Sequence, residues 1–308
     1  MTKAIAFTEF GSADVLHPVD VELPEPGAGQ VRIAVRAAGV NPLDSKIRTG
    51  AMQQFFPVAF PHVPGLEVAG VVEAVGPGVT GFEAGTPVLG RTATGSYAEQ
   101  ALADVDLLTV KPDSLDWAHA AALPVAAETT YRALEPLGLR SGETLLVHGA
   151  AGGVGSVAVQ FAVARGLTVI GTAREDNHAY LRELGVIPVR YGDGLVERVR
   201  ALAPGGVDAA FDLSGRPEAL IDSVALTGGT ERVITVANAA TAAEHGIAFT
   251  GGGGDTDRTR PGYEEALSLL AAGKLRIALH HTYPLAEAAE AQRASEAGRL
   301  TGKIVLAV

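Results

Sequence analysis

A glycine-rich stretch near the middle of the chain has the residue types and spacing of a phosphate-binding turn. In "GAAGGVG", residues 149–155, the pattern A-x-G-x-x-G lies between a predicted strand at 144–148 and a predicted amphipathic helix, "SVAVQFAVARG". A glycine in the middle lets the backbone approach a pyrophosphate, one at the end lets the helix pack on the strand, and the helix N-terminus faces the anion. We expect a dinucleotide site here, with an ordinary glycine turn as the alternative; its contacting residues are Ala150, Gly152, Gly153, Val154 and Gly155.

The end of the next predicted strand indicates which dinucleotide binds. Chains that bind NAD usually carry Asp or Glu there for the ribose 2′-hydroxyl. This chain has Thr172 and then Arg174, and Tyr191 ends the third predicted strand. A carboxylate would repel a 2′-phosphate, whereas a guanidinium binds it with two hydrogen bonds. The sequence therefore predicts NADPH, bound in part by these three residues; the alternative for Arg174 is a solvated pair with Glu175 or Asp176.

The pattern of apolar runs predicts an α/β fold with two domains. Up to about residue 115, alternating or β-branched runs are separated by Pro and Gly, which indicates a compact β domain. Six later runs alternate with helix-length segments, which is typical of a doubly wound parallel sheet; they are 144–148, 167–172, 186–191, 207–213, 230–236 and 246–250. A glycine-rich loop, a helix and a last strand, "GKIVLAV", follow, and that strand needs the first domain's sheet. We predict a β domain of residues 1–119 and 253–308, and a dinucleotide-binding domain of residues 120–252.

Composition excludes several classes of function. The chain has no Cys, which removes disulfides, thiolate nucleophiles and cysteine-bound zinc or iron–sulfur clusters, and we predict no metal site. The net charge of −11, without a strong Lys/Arg cluster, predicts no nucleic-acid partner. No apolar run reaches the roughly 18 residues of a membrane helix, so we predict no membrane partner. The first residues lack the apolar middle of a signal peptide, which predicts a cytoplasmic protein.

Five motifs in order carry a resemblance to a known family. Over nearly its whole length the chain resembles the zinc-free, zeta-crystallin-like quinone oxidoreductase branch of the medium-chain dehydrogenase/reductase superfamily. The resemblance implies a GroES-like β domain, an inserted Rossmann domain, an active-site cleft between them, NADPH as hydride donor and a homodimer paired through the edge strand at 246–250. The motifs are "AAGVNPLDSKIRTG" (37–50), "PGLEVAGVVEAVGPGV" (64–79), "GSYAEQ" (95–100), "AALPVAAETTYRAL" (121–134) and "GKIVLAV".

The residues at the zinc position of the resembling enzymes argue against that metal. Zinc-dependent relatives carry Cys where this chain has Asn41, and Gly-His-Glu where it has Gly65, Leu66 and Glu67. Leucine and asparagine do not replace imidazole and thiolate as zinc ligands. Without a Lewis acid to polarise an alcohol or ketone, acceptors already activated by conjugation are favoured: quinones, enones and enoyl thioesters.

Asn41 has two interpretations that do not exclude each other. Asn41, Pro42 and Asp44 have the types expected at the N-cap, N1 and N3 positions of a helix, so Asp44 is taken as mainly structural. The resemblance implies that Asn41 also lies beside the nicotinamide or substrate, where its amide donates to a carbonyl or developing enolate oxygen. We therefore treat Asn41 as the candidate catalytic residue.

The resemblance implies further cofactor contacts, each with a structural alternative. Ser214 and Gly251 follow the fourth and sixth predicted strands, at the edge where open parallel sheets bind ligands. The full set is Thr129, Ser214, Gly251, Arg299 and Lys303.

The segment after "RTG" contains no evident proton donor. It offers apolar and aromatic residues, which suit a planar, poorly hydrated acceptor and exclude water, although core packing explains the Phe residues nearly as well. They are Met52, Gln53, Phe55, Phe56 and Phe60.

Together these features predict an NADPH-dependent reductase that transfers hydride to a quinone or another apolar conjugated carbonyl without zinc. An enoyl or enone reductase acting on a C=C bond is the first alternative. A noncatalytic NADPH-binding protein is the second.

Overall fold

The computed structural model describes residues 1–251 and 258–308, which form two compact units. The β unit comprises Met1–Val125 and Ala278–Val308, and the α/β unit comprises Ala126–Ile277. Both boundaries fall later in the chain than the predicted ones at 119/120 and 252/253. Part of the predicted glycine-rich loop, residues 252–257, lies outside the described residues.

The first part of the chain is mostly strand, as the β-branched runs predict. Three of its strands overlap the β-branched or alternating runs of the sequence, "KAIAFTEF" from residue 3, "VRIAVRAAGV" from residue 31 and "LEVAGVVEAVG" from residue 66. Its elements are β1 (Thr2–Ala6), β2 (His17–Val21), β3 (Gln30–Val40), α1 (Pro42–Arg48), β4 (Glu67–Val75), β5 (Pro87–Arg91), β6 (Gln100–Asp104), β7 (Leu108–Val110), α2 (Trp117–Ala121) and α3 (Pro124–Leu134), most of which belongs to the α/β unit.

The α/β unit alternates strands and helices. Its elements are β8 (Thr144–His148), α4 (Gly155–Ala164), β9 (Thr168–Ala173), α5 (His178–Glu183), β10 (Ile187–Arg190), α6 (Leu195–Leu202), β11 (Ala209–Asp212), α7 (Pro217–Thr227), β12 (Val233–Thr235), α8 (Ala239–His245), β13 (Ala248–Phe249) and α9 (Thr259–Ala271). The strands pair in parallel in the order β10-β9-β8-β11-β12-β13. This order places the first strand of the unit at the point where the connections reverse direction, and the predicted doubly wound sheet is confirmed.

The chain then returns to the β unit with β14 (Leu279–Pro284), α10 (Ala288–Ala297) and β15 (Lys303–Ala307). β15 pairs antiparallel with β3, where Val305 lies opposite Gly39. The prediction that the last strand joins the sheet of the first domain is therefore confirmed. The sheet runs β14-β15-β3-β4-β5-β7, with β6 also paired to β3, and β1 pairs with β2 separately.

One local prediction is wrong: α4 is not amphipathic. All residues from Gly155 to Ala162 are buried, because α9 packs against the helix. Gln160 Nε2 donates to the carbonyl of Arg276 over 2.9 Å, and Arg165 Nη2 lies 2.6 Å from Glu265 Oε2. These contacts also explain why residues 259–277 belong to the α/β unit.

Apolar burial in the β unit follows the pattern expected of an antiparallel sheet. In β3, Val31, Ile33 and Val35 alternate inward and are at most 3% exposed, which is the period of a half-buried antiparallel strand. Short 3-10 turns lie at Ala13–Val15, Val105–Leu107, Glu135–Leu137, Glu175–Asn177 and Leu285–Glu287. Among residues 1–251 and 258–308, none of the helices is long and apolar enough to cross a bilayer.

Candidate functional site

The glycine-rich turn connects the carboxyl end of β8 to the first residue of α4, which is Gly155. The backbone N–H of Ala150 donates to the carbonyl of Thr172 over 3.1 Å, and the N–H of Gly149 donates to Thr172 Oγ1 over 3.2 Å. Thr172 is 2% exposed, so its observed role is to hold the turn by these two hydrogen bonds, and its own contact with the cofactor stays a prediction. Gly149 has a φ of 74°, a conformation that glycine adopts without strain.

Gly155 and Gly152 differ in how closely other atoms of the protein approach them. A Cβ at Gly155 would overlap the carbonyl oxygen of Gly149 and crowd Ala150, so close packing of the helix start on the turn requires glycine. A Cβ at Gly152 would meet only Gly149 O, at 3.4 Å. The protein's own atoms therefore leave room beside Gly152, where the sequence predicts that a pyrophosphate lies. The neighbouring Gly153 and Val154 are half-buried.

Arg174 and Tyr191 lie at the same end of the parallel sheet. β9 and β10 are paired with Ala173 opposite Arg190, and each candidate residue directly follows its strand. Tyr191 is 37% exposed, and the guanidinium of Arg216 lies 5.4 Å from the centre of its ring. This end of the sheet therefore presents cationic and hydroxyl groups, a suitable chemistry for a phosphate.

The loop after β11 is shaped by a buried carboxylate that sequence reasoning missed. Asp212 is fully buried; its Oδ1 accepts from the N–H and the hydroxyl of Ser214 over 2.9 and 2.7 Å. Its Oδ2 accepts from Thr235 Oγ1 over 2.8 Å and from the N–H of Gly215 over 3.3 Å. The hydroxyl of Ser214 therefore bonds to Asp212, and its contact with a cofactor stays a prediction.

Thr129, for which a hydroxyl at the start of a helix is the structural alternative, lies inside α3 and not at its start. The residue is 7% exposed, and its Oγ1 contacts Glu128 Oε2 at 3.3 Å and Arg132 Nη2 at 3.4 Å. Arg132 Nη1 also donates to Thr250 Oγ1 over 2.7 Å, which ties α3 to the end of β13. Gly251 follows directly, while its neighbours 252–257 lie outside the described residues.

The β unit contains a buried polar group built from Asn41, Glu67 and Lys303, hereafter the Asn41–Glu67–Lys303 cluster. Lys303 Nζ donates to Asn41 Oδ1 over 2.6 Å and to Glu67 Oε2 over 2.5 Å. Asn41 Nδ2 donates to Glu67 Oε2 over 2.7 Å, and the N–H of Val125 donates to Glu67 Oε1 over 2.7 Å. The amide of Asn41 is therefore held in one orientation by an anion and a cation.

This cluster does not fit a zinc ion. One oxygen of its carboxylate is bonded by an ammonium and an amide, and Asn41 contributes a neutral amide where a thiolate would be needed. Leu66, beside Glu67, has no donor atom. In the part of the chain that the structure describes, no group of three or more His, Cys, Asp or Glu is arranged to hold a metal.

Arg299, the other cofactor candidate near β15, is exposed and has a φ of 63°, in the left-handed region. Gly298 and Arg299 connect α10 to the segment before β15. Its contact with a cofactor stays a prediction, as does that of Lys303.

Asp44 occupies the N3 position of α1, as predicted, and its carboxyl is buried. Asp44 Oδ2 accepts from the N–H of Asn41 over 2.8 Å and from the hydroxyl of Tyr97 over 3.0 Å. Burial raises the pKa of Asp44 from 3.8 to about 7, against the effect of these two hydrogen bonds. Burial and the neighbouring Asp44 also raise the pKa of Tyr97 well above its ordinary value, so its hydroxyl stays protonated.

A cavity of about 760 Å³ lies within the β unit. Its wall includes Phe55, Phe56 and Leu66, with Asp44 and His62 among its polar residues. Burial lowers the pKa of His62, which favours the neutral imidazole. Two predicted aromatic wall residues therefore do line a cavity.

The other residues of that segment have different surroundings. Phe60 packs edge-on against Phe7 and Phe10, with ring centres 5.9 and 5.1 Å apart. Met52 and Phe56 pack on the adjoining apolar core, so Phe56 both lines the cavity and takes part in the core packing that is the alternative interpretation for the Phe residues.

Two family models match the chain; the first lies within the β unit, and the second runs from the α/β unit into the last part of the β unit. The alcohol dehydrogenase GroES-like domain matches residues 27–113, and the zinc-binding dehydrogenase domain matches residues 186–306. The name of the second model includes a metal that the Asn41–Glu67–Lys303 cluster does not fit.

Curated relatives and solved structures agree on the family. A quinone oxidoreductase of Pseudomonas aeruginosa is 34% identical, over 99% of both chains. A 2-methylene-furan-3-one reductase of Solanum lycopersicum is 33% identical, over 99% of this chain and 78% of the relative. Mouse quinone oxidoreductase is 44% identical over 176 residues, and the aligned part spans only about half its length, 53%.

Among solved structures, an Escherichia coli quinone oxidoreductase complexed with NADPH matches with a TM-score of 0.85 and 25% identity, over 99% of this chain and 100% of that one. A mycobacterial protein complexed with NADPH matches with a TM-score of 0.87 and 29% identity, over the full length of both chains. The full-length match to the Pseudomonas aeruginosa enzyme establishes the relationship. The chain belongs to the quinone oxidoreductase family of the medium-chain dehydrogenase/reductase superfamily.

Proposed function

We propose that this protein is an NADPH-dependent oxidoreductase whose acceptor is a quinone. The observation that carries the proposal is the turn at 150–155, where the protein's packing requires Gly155 but leaves open space beside Gly152. Similarity to a quinone oxidoreductase supports the choice of acceptor. Similarity to two solved structures that are complexes with NADPH supports the choice of cofactor.

The residues that would hold NADPH follow from the α/β unit. Backbone groups of Gly152 and Gly153 at the start of α4 would face the pyrophosphate, and Arg174 with Tyr191 would bind the 2′-phosphate. We retain Thr129, Ser214, Gly251 and Arg299 as proposed contacts. Lys303 is buried on Glu67, so we infer that it acts on a ligand chiefly by fixing the amide of Asn41.

The acceptor would occupy the cavity of the β unit. The aromatic and aliphatic residues of its wall suit a planar, uncharged molecule. Bound NADPH supplies a hydride to such an acceptor. Asn41 is not itself a lining residue of this cavity, but its backbone N–H bonds to Asp44, which is. One of its side-chain amide hydrogens is bonded to Glu67, and we propose that the other donates to the carbonyl oxygen of the acceptor.

The proposal is tested by the oxidation of NADPH and NADH with a panel of quinones, enones and enoyl thioesters. We expect turnover with quinones, with NADPH preferred over NADH. Tight NADPH binding without oxidation by any acceptor would contradict the proposal and favour a noncatalytic binding protein.

A second candidate function is the reduction of an enone C=C bond. The observation that favours it is the similarity over nearly the whole chain to the tomato 2-methylene-furan-3-one reductase. Turnover of enones with stereospecific protonation, and none of quinones, would select this function.

We also propose a cytoplasmic homodimer. In the described residues, β13 has a partner strand, β12, on one side only, and its Phe249 is 45% exposed. Edge strands of this kind pair readily with another chain. Sedimentation should show a dimer that Phe249→Lys dissociates; a monomeric wild-type protein would contradict the pairing.

A further inference from the structure

One buried acid in the β unit has no part in the function proposed so far. Asp44 is 1% exposed and is among the residues that line the 760 Å³ cavity. Its role at N3 of α1 uses Oδ2 alone, since Oδ2 accepts from the N–H of Asn41. Among the described residues, Oδ1 has no hydrogen-bond partner.

The hydrogen bonds indicate where a proton on Asp44 lies. Both donors, the N–H of Asn41 and the hydroxyl of Tyr97, approach Oδ2. Oδ2 is therefore the oxygen that accepts, and Oδ1 is the oxygen available to carry hydrogen. A buried, unsolvated oxygen without a donor is a poor place for negative charge, and a buried hydroxyl without an acceptor favours a ligand that accepts its hydrogen bond.

Burial, and not the surrounding charge, favours the neutral form of Asp44. Lys303 on β15 lowers the pKa of Asp44 more than Glu67 on β4 raises it, and the ammonium of Lys303 is itself bonded to Glu67. Arg48, on the same helix as Asp44, is bonded to Gln292 and Glu296 on α10. The remaining titratable groups of the cavity lining are Asp20, Glu22 and His62.

We propose that Asp44 donates the proton to the acceptor held in this cavity, an inference that rests on the proposed reductase function. Two-electron reduction of a quinone carbonyl needs a hydride, which NADPH supplies while becoming NADP⁺, and one proton. The O–H bond at Asp44 Oδ1 breaks, its electron pair stays on the carboxylate, and the proton forms the new O–H bond on the reduced acceptor. Water then returns a proton to Asp44.

The direct test replaces Asp44 by an amide. Asp44→Asn keeps an oxygen for the hydrogen bonds from Asn41 and Tyr97 and an N–H in place of the O–H, but it transfers no proton. We expect kcat to fall about 100-fold or more, as for removal of a general acid, with little change in KM. Since Asp44 must be protonated, kcat of the wild type should fall as the pH rises through about 7, and Asp44→Asn should lack this pH dependence.

Tyr97→Phe is a second test, because it should shift the pH dependence of kcat and not abolish it. The hydrogen bond from Tyr97 lowers the pKa of Asp44. Its removal should move the alkaline fall of kcat to higher pH. Asp116→Asn, at the exposed N-cap of α2, is the matched control for loss of a capping carboxylate, and its kcat and pH profile should match those of the wild type.

Infrared difference spectra of the cofactor-free protein give a readout that needs no turnover. A protonated-carboxyl band that titrates near pH 7 in the wild type should be absent from Asp44→Asn. Loss of the band and of kcat together supports the proposal. A purely capping role would lower the melting temperature of Asp44→Asn and leave kcat and the profile unchanged, which would overturn it.

The failure of this proposal is distinguishable from failure of the proposed function. If Asp44→Asn keeps the turnover rate of the wild type, only the role of Asp44 is contradicted. No acceptor reduction by the wild type contradicts the reductase function, and the role of Asp44 falls with it.

Discussion

The ammonium of Lys303 lies 2.5 Å from the carboxylate of Glu67, and the two side chains are 4% and 0% exposed. The pair joins the last strand of the chain to β4, on the other side of β3. It also holds the side chain of Asn41, which donates to Glu67 and accepts from Lys303. A buried ion pair with several hydrogen bonds thus orients the candidate catalytic amide.

Removing one partner of this pair should strongly destabilise the protein. Lys303→Met leaves the carboxylate of Glu67 buried without its cation, and we expect the free energy of unfolding to fall by about 3–5 kcal/mol. Urea unfolding measures the change. The exposed Lys274→Met is the control, and adding Glu67→Gln to Lys303→Met should recover part of the loss. A loss no larger than that of the control would mean that the pair does not stabilise the fold.

The two glycines of the turn should respond differently to an added side chain. Gly155→Ala should unfold or strongly destabilise the protein, because its Cβ would overlap the carbonyl oxygen of Gly149. Gly152→Val should retain the wild-type circular dichroism spectrum and lose NADPH binding, because its side chain fills the space left for the pyrophosphate. Fluorescence titration with NADPH checks the second result. Unchanged affinity in Gly152→Val would exclude this turn as the cofactor site.

Arg174→Glu should change the cofactor preference. Loss of charged hydrogen bonds to the 2′-phosphate, and the new repulsion, should weaken NADPH binding on the order of 100-fold. NADH lacks this phosphate and should lose little affinity. The exposed Arg182→Glu, on α5, is the charge-matched control. Equal losses for the two cofactors would place the 2′-phosphate elsewhere.

His148 should make the protein sensitive to acid. Its Nε2 lies 3.0 Å from Ser223 Oγ, and burial lowers the pKa of His148 from 6.5 to about 4, although the nearby Asp212 acts in the opposite direction. The unfolded state therefore binds a proton at higher pH than the folded state. The contribution to stability is complete above pH 6.5 and is lost as the pH falls towards 4, on the order of 3 kcal/mol.

The measurement is the free energy of unfolding against pH for the wild type and His148→Gln. The wild type should lose more stability than the variant between pH 6.5 and pH 4. Parallel curves would show that His148 titrates alike in both states.

The elements that position the cofactor turn could be predicted because their signals are local. Apolar runs and the spacing of Ala150, Gly152 and Gly155 place the turn between a strand and a helix, and β8 and α4 lie there. The pairing of β15 with β3 was predictable because a terminal apolar strand needs a host sheet. The all-round burial of α4 was not, since it depends on α9, about a hundred residues later in the chain.

The Asn41–Glu67–Lys303 cluster escaped the sequence analysis for a similar reason. Lys303 is 236 residues from Glu67 along the chain, and only the pairing of β15, β3 and β4 brings them together. The sequence indicated that Asp44 lies in the first turn of a helix, at position N3, and it does. That its carboxyl is also buried against a cavity depends on Tyr97 and on the loop around Leu66, and no local pattern encodes this.

A crystal structure of the protein with saturating NADPH tests the central claim most directly. We predict pyrophosphate density over the turn at 150–155, with the adenosine 2′-phosphate on Arg174. Density for the pyrophosphate at any other position, or a turn filled by protein side chains while NADPH is bound elsewhere, would contradict the account.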